Sequence, residues 1–234
     1  MQLVMLRHGQ SQWNLENRFT GWTDIDLSEN GKAEAIAAGK LLKGKGFTFD
    51  LGFTSSLRRA NHTLDLVLEQ LGEKDIEIRY SWRLNERHYG ALQGLNKDET
   101  RAKYGAEQVH IWRRSADVRP PALEVTDERF PGNDPKFKEM LAKGIIEEKD
   151  LPLTEHLLDT VDRVLVYWES DIKPALLAGR KVIIAAHGNS LRALVKHIEQ
   201  ISDADIMAVE IPTGKPLVYE LDDKDLSFIK KYYL

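Results

Sequence analysis

The chain has 234 residues, 42% of them hydrophobic, enough for a full core, and the length points to one domain. A formal net charge of −4 supplies no field that would gather nucleic acid or an anionic membrane, so any anion site among the 33 lysines and arginines must be a pocket. The absence of cysteine removes disulfide frameworks and thiolate metal sites, in keeping with a cytoplasmic protein.

Residues 1–8 lack the basic region and apolar run of a signal peptide, so no secretion is expected. Gln2 to Leu6 is too short for a helix and ends in Arg7-His8-Gly9, which reads as a buried strand followed by a functional turn. Behind Ser28, a candidate cap, Ala33, Ile36, Ala37 and Leu41 recur at helical spacing until Gly44 and Gly46 stop the run. Leu51 to Ser55 predicts a strand. Leu57, Ala60, Leu64, Val67, Leu68 and Leu71 then predict one face of a helix with Arg58 and Arg59 in its first turn, before a strand at Ile76 to Tyr80. From 81 to about 154 turn residues break the periodicity, apart from short helices at Asp98–Tyr104 and Glu107–Arg114, and a stretch this long predicts a covering or binding insertion. Leu157, Leu158, Val161, Val164, Leu165 and Trp168 restore a helix. Lys181 to Ala186 is an apolar strand, far short of the roughly 18 residues of a membrane span. Leu191, Leu194, Val195 and Ile198 give the next helix, and Leu217 to Leu221 the last strand.

This alternation predicts an α/β fold, an open and mostly parallel sheet with helices on both faces. Ligands in such sheets bind beyond the carboxyl ends of the strands, and His8, Arg59 and His187 all lie just past a predicted strand end. Gly9 and Gly188 would let backbone approach a phosphate, the second ahead of a helix whose free N–H groups favour an anion. One imidazole could attack phosphorus while the other donates to the oxygens on which charge gathers, with Arg7 and Arg59 as planar forks for the phosphoryl group. Glu86, in Ser81-Trp82-Arg83-Leu84-Asn85-Glu86-Arg87-His88-Tyr89-Gly90, is a candidate proton carrier to and from a hydroxyl, and Lys97, Arg113 and Arg114 could clamp a second anionic end. No histidine spacing suggests a metal site. Gly39 to Lys45 imitates a phosphate loop, but Gly46 stands where Ser or Thr is required.

Leu6-Arg7-His8-Gly9-Gln10-Ser11-Gln12-Trp13-Asn14 and Thr20-Gly21-Trp22 resemble the signature of the histidine phosphatase superfamily in its phosphoglycerate mutase branch. Ser81 to Gly94, Trp112-Arg113-Arg114, Ala185 to Arg192 and Ile211-Pro212-Thr213-Gly214 resemble the same branch in the same order. The resemblance implies a three-layer mutase-like fold over the whole chain and interconversion of 3-phosphoglycerate and 2-phosphoglycerate. It implies 2,3-bisphosphoglycerate as primer and intermediate, no metal, and a homodimer or homotetramer. His8 would carry the phosphoryl group, Glu86 would move the proton and His187 would stabilise the transfer, with Arg7 and Arg59 at the reacting phosphate. Substrate contacts implied are Arg7, Gly9, Gln10, Ser11, Asn14, Thr20, Gly21, Arg59, Glu86, Arg87, His88, Tyr89, Lys97, Arg113, Arg114, Gly188 and Asn189. The chain departs from the branch in a longer Gly144 to Asp150 segment, in His156 where Ser is usual, and in lacking the closing tail that many relatives carry past the position of Leu234. A phosphatase of the same superfamily, with water as acceptor, is the alternative, and a non-catalytic anion-binding protein is a third reading.

Overall fold

A computed structural model describes all 234 residues. β1 (Gln2–Arg7) alternates between two cores, with Leu3 and Met5 on one side of the sheet and Val4 and Leu6 on the other, so a strand buried on both faces reads as one apolar run. A single turn, α1 (Gln12–Leu15), is capped by Ser11, which accepts the Asn14 N–H. α2 (Glu29–Gly44) begins at Ser28, whose hydroxyl accepts the Gly31 N–H, and gives way to Gly46 at φ +78°.

The buried face of α2 is Gly31, Ala35, Ala38, Gly39 and Leu42; Ala33, Ala37 and Leu41 are exposed and Ile36 half-buried, contrary to the predicted face. Close approach explains the difference. A Cβ on Gly31 would stand 1.9 Å from the Gln10 carbonyl oxygen, and one on Gly39 would stand 2.9 Å from that of Val67. The small residues therefore face the protein, where hydropathy alone selects the larger ones.

β2 (Leu51–Thr54), α3 (Arg58–Leu71) and β3 (Glu77–Tyr80) follow as the periodicity predicts. Residues 81–154 hold α4 (Lys97–Tyr104), α5 (Ala106–Arg114) and a third helix, α6 (Pro135–Ala142). α6 has a legible start, with Asp134 capping and Pro135 first in the helix, but buries only Phe137, too little for a visible periodicity. Two small cores fix this excursion. Trp82, Phe137 and Ile146 pack with Trp22, and Leu92 and Val109 pack with Phe19, so it is tied to the segment that follows His8. Ile146 belongs to the longer Gly144 to Asp150 segment, which is thereby anchored.

α7 (Leu157–Tyr167) passes through one π turn, Trp168–Ile172, into α8 (Lys173–Leu177). Pro174 has no N–H for the helical ladder, which accounts for the widened turn. β4 (Val182–Ala186), α9 (Gly188–Glu199), β5 (Leu217–Leu221) and β6 (Phe228–Tyr233) complete the chain. The strand order is β3-β2-β4-β1-β5-β6, the first four parallel and the last two antiparallel. β6 escapes sequence reading because its Phe-Ile-Lys-Lys-Tyr-Tyr pattern does not alternate, and it forms a largely exposed edge. The larger core lies between the sheet and α7 with α9, the smaller between the sheet and α2 with α3, giving three α/β/α layers. No helix is long and apolar enough to cross a membrane.

Candidate active site

The register of the central strands assembles the site. Arg7 pairs with Ala186 and Thr54 with Ala185, so His8, Ser55 and His187 emerge side by side at the carboxyl ends of β1, β2 and β4. The His8 N–H donates to the Ala186 carbonyl at 3.0 Å, and the two imidazoles meet edge to face with ring centroids 5.0 Å apart. Nδ1 of His8 lies 2.7 Å from the Gly9 carbonyl, which can only accept, so Nδ1 carries the proton and Nε2 keeps its lone pair. Burial first, then the Arg59 and Arg7 charges, holds this imidazole well below its ordinary 6.5. The ring is neutral at neutral pH, with a lone pair on Nε2.

His187 is fully buried, with Nε2 2.8 Å from the Ser55 hydroxyl and Nδ1 without a partner. Burial, then Arg59 and His8, push it well below 6.5 as well. The neutral ring is thus held at one nitrogen, with the other unpartnered beside His8.

A cavity of about 240 Å³ opens from His8. That is below the roughly 300–1,000 Å³ of drug-sized pockets, so the ligand must be small. Seven cationic side chains line it, Arg7, Arg18, Arg59, Lys97, Arg113, Arg114 and Arg192, against two carboxylates, Glu86 and Glu210. A net-negative chain thus concentrates positive charge in one place. Arg59 is clamped by the carbonyls of Thr23 and Gly21, and burial lowers it to about 10, still charged at neutral pH. Arg7 donates Nη1 to the Ile211 carbonyl at 2.8 Å, leaving Nε buried without a partner. Lys97 and Arg113 are lowered by burial. Burial opposes ionisation of the Tyr89 phenol, yet Arg87 and Arg113 outweigh it and hold the group at about 8.

Glu86 is 8% exposed at the cavity wall. Its Oε1 accepts the Arg87 N–H at 2.8 Å and the Asn189 N–H at 3.1 Å. The anion seated on the amino end of α9 is therefore this carboxylate, where the sequence suggested phosphate alone. Oε2 lies 3.7 Å from where a Cβ on Gly188 would stand and the Arg7 guanidinium 3.5 Å from it, ordinary contact distances that place Gly188 between the two charged groups.

Of the predicted contacts, Arg7, His8, Asn14, Thr20, Gly21, Arg59, Glu86, Tyr89, Lys97, Arg113, Arg114, Gly188 and Asn189 line this one cavity. Gly9, Gln10, Ser11, Arg87 and His88 do not. A Cβ on Gly9 would stand 2.2 Å from the Gly31 carbonyl, so the packing of α2 requires this glycine. Gln10 donates its N–H to Glu34 and holds Ser28, while Ser11 caps α1. Arg87 is fully buried behind Tyr89 and donates to the Arg113 carbonyl; His88 is fully buried and accepts the Gly90 N–H. His187 sits beneath the cavity wall, against His8.

Arg18, Phe19 and Glu210, outside every motif named above, also line the cavity, as do Arg192, Ile211 and Pro212, which belong to those motifs without an assigned contact. Each had a local signal. Arg18 and Phe19 lie between Asn14 and Thr20; Arg192 is one turn after Asn189 and donates to its Oδ1 at 2.8 Å; Glu210 immediately precedes the Ile211 to Gly214 block. No group of three or more histidine, cysteine or acidic side chains is placed to hold a metal.

In the solved structures this architecture recurs. The chain is 25% identical to the mycobacterial glucosyl-3-phosphoglycerate phosphatase with VO3, over 99% of this chain and 96% of that one, with TM-score 0.69. Bacillus stearothermophilus YhfR shares 23% identity over 97% and 94%, with TM-score 0.68. The α-ribazole phosphatase of Shigella flexneri shares 18% over 98% and 95%, with TM-score 0.66, likenesses that speak for the fold. Residues 3–130, more than half of the chain, match the family model of the histidine phosphatase superfamily, branch 1. The paired imidazoles at the strand ends, the cationic cavity and this match together establish that the chain belongs to branch 1 of the histidine phosphatase superfamily.

Proposed function

We propose that the chain is a phosphoglycerate mutase that interconverts 3-phosphoglycerate and 2-phosphoglycerate through phospho-His8, with 2,3-bisphosphoglycerate as primer and intermediate. The observation that carries the reading is the division of cations in a cavity of about 240 Å³. Arg7 and Arg59 act on His8, and Lys97, Arg113 and Arg114 gather about Tyr89, with Arg7 between them acting on Lys97 as well. Glu86 is close enough to both groups to act on Arg59 and on Tyr89. A small molecule with two anionic ends matches this distribution. The Nε of Arg7 and Arg192 and the Oγ1 of Thr20 are buried in the cavity wall without a partner in the protein.

In this reading His8 Nε2 bonds to phosphorus while the bond to the substrate oxygen breaks, and Glu86 gives that oxygen a proton. In the other direction Glu86 takes the proton of the acceptor hydroxyl as its oxygen attacks phospho-His8. Arg7, Arg59 and the free nitrogen of His187 hold the equatorial oxygens, on which charge gathers. One transfer to the C2 hydroxyl and one return from the C3 position, with turning of the intermediate between them, complete the interconversion.

A second reading, hydrolysis, is favoured by the similarity to proteins named as phosphatases. There water takes the phosphoryl group from His8 and inorganic phosphate leaves. One experiment separates the two: isomerisation of 3-phosphoglycerate with and without 2,3-bisphosphoglycerate, with phosphate release recorded in the same sample. Primer-dependent isomerisation outrunning phosphate release supports the mutase; phosphate release without isomerisation supports the phosphatase. An intact protein that gains no acid-labile mass at His8 from either donor sinks both.

A further inference from the structure

Several arginines keep a buried N–H nitrogen without a partner, among them Arg7 and Arg192 at the cavity and Arg87 behind Tyr89. Arg163, on α7 and outside the cavity, is different. Its Nε donates to Glu155 Oε1 at 2.8 Å and its Nη2 to Glu155 Oε2 at 3.0 Å, the bidentate fork of a matched pair. Nη1 donates to the carbonyls of Arg83 at 2.7 Å and Asn85 at 2.9 Å, and Nη2 also to that of Glu86 at 2.9 Å. All five N–H groups are used.

These bonds grip the backbone that carries Glu86. Its carbonyl also accepts the Trp22 indole N–H at 2.6 Å, and the Arg163 guanidinium lies 5.5 Å from the Trp22 ring. Glu155 fixes the far side of the segment, accepting the His88 N–H at 2.8 Å while its own N–H donates to the His88 carbonyl. Both partners of the ion pair are more than nine-tenths buried, at 8% and 7% side-chain exposure. Desolvating such a pair is costly, and it does little for stability that apolar packing could not do. It fits a demand for position. A proton carrier must stay within hydrogen-bond reach of one oxygen, and a shift of about 1 Å can cost on the order of 100-fold in rate.

We propose that Arg163, with Glu155 as its counter-ion, is a positioning residue that holds Glu86 at the reacting oxygen. This rests on the reading of Glu86 as proton carrier, and the test separates the two. Phosphorylation of His8 is followed by rapid quench from two donors, an alkyl phosphate whose departing oxygen needs a proton and p-nitrophenyl phosphate whose phenolate does not. Glu86→Gln reports on the proton itself. Arg163→Lys keeps the charge opposite Glu155 but cannot reach three carbonyls, and the double variant Glu155→Gln/Arg163→Met leaves no buried charge unpaired should the lysine variant not fold.

The expected result is that each Arg163 variant raises the aryl-to-alkyl rate ratio by about 10- to 100-fold, and that adding Arg163→Lys to Glu86→Gln raises it no further. An Arg163 variant that slows both donors equally, or neither, beside a selective Glu86→Gln overturns this proposal alone. A Glu86→Gln variant without selectivity overturns the proton-carrier reading and this proposal with it.

Discussion

His88 distinguishes a substrate contact from a structural histidine, and pH tells them apart. Its ring is fully buried, Nδ1 accepts the Gly90 N–H at 2.9 Å and Nε2 has no partner. Burial first, then the Arg163 and Arg129 charges, lowers its pKa from 6.5 to about 3. Between these two values the unfolded chain binds a proton that the folded chain refuses. The folded state is thus unpenalised above pH 6.5, loses stability as pH falls below it, and reaches the full loss below about 3. At about pH 5 the loss from this one group is about 2 kcal/mol, and its limit is about 5 kcal/mol, a large part of a typical stability of about 5–15 kcal/mol. The replacement His88→Asn keeps an acceptor for Gly90 but does not titrate. Urea unfolding of both proteins at about pH 7.5 and about pH 5 should show the parent losing about 2 kcal/mol more than the variant. His8 and His187 act in the same direction in both proteins and cancel. Equal losses would refute the reasoning, and a variant with an unchanged pH profile but a KM raised tenfold or more would return His88 to the substrate.

Three more perturbations follow from the same geometry. Gly9→Ala places a Cβ 2.2 Å from the Gly31 carbonyl oxygen, backbone against backbone, so a loss of about 1–3 kcal/mol or more is expected in denaturant unfolding, and an unchanged midpoint contradicts the packing role. Glu210→Gln frees Arg114, whose Nη2 it holds at 2.5 Å; with Glu210 70% exposed the pair is worth about 0–1 kcal/mol, so KM for an anionic substrate should fall by up to about fivefold, and a rise would show that Glu210 helps binding. Because His8 is held well below 6.5, phosphoenzyme formation should stay level as pH falls from about 8 through 6.5, whereas a rate dropping through 6.5 would mean that the nucleophile titrates as a free imidazole.

The fold was legible where burial has a simple period. β1, β2 and β4 read as apolar runs because helices cover both of their faces, and α3 shows its stripe of Ala60, Leu64, Val67 and Leu68. α2 is legible but its inward face is not, because Gly31 and Gly39 are set by the approach of a neighbouring backbone rather than by hydropathy. α6 and β6 went unseen for lack of a buried stripe, one resting on Phe137 alone and the other an exposed edge. At the site, side chains adjacent to a strand end could be read from position, as with His8 and Arg59. Whether Gln10, Ser11, Arg87 and His88 turn toward the cavity depends on capping bonds and small cores formed with residues distant in sequence, which no local pattern encodes. Arg163 lay unnoticed for the same reason: three of its five bonds reach back about eighty residues.

The contrast between Arg163 and the cavity arginines also explains why the site is a cavity at all. Thr20 Oγ1, Arg7 Nε, Arg192 Nε and His187 Nδ1 are buried with no partner in the protein. Each such group costs about 1–3 kcal/mol, more when charged, so the region cannot be the cheapest packing for its sequence. Apolar side chains in the same places would collapse upon one another and close the space. Cations that repel one another and lean on carbonyls from separate segments, Ile211 for Arg7, Gly21 for Arg59 and Ile206 for Arg192, hold the walls apart instead. The cationic side chains of the wall are thereby fixed before any ligand arrives. An anion with several oxygens would meet positive charge already in place, with little reorganisation left for the protein to make.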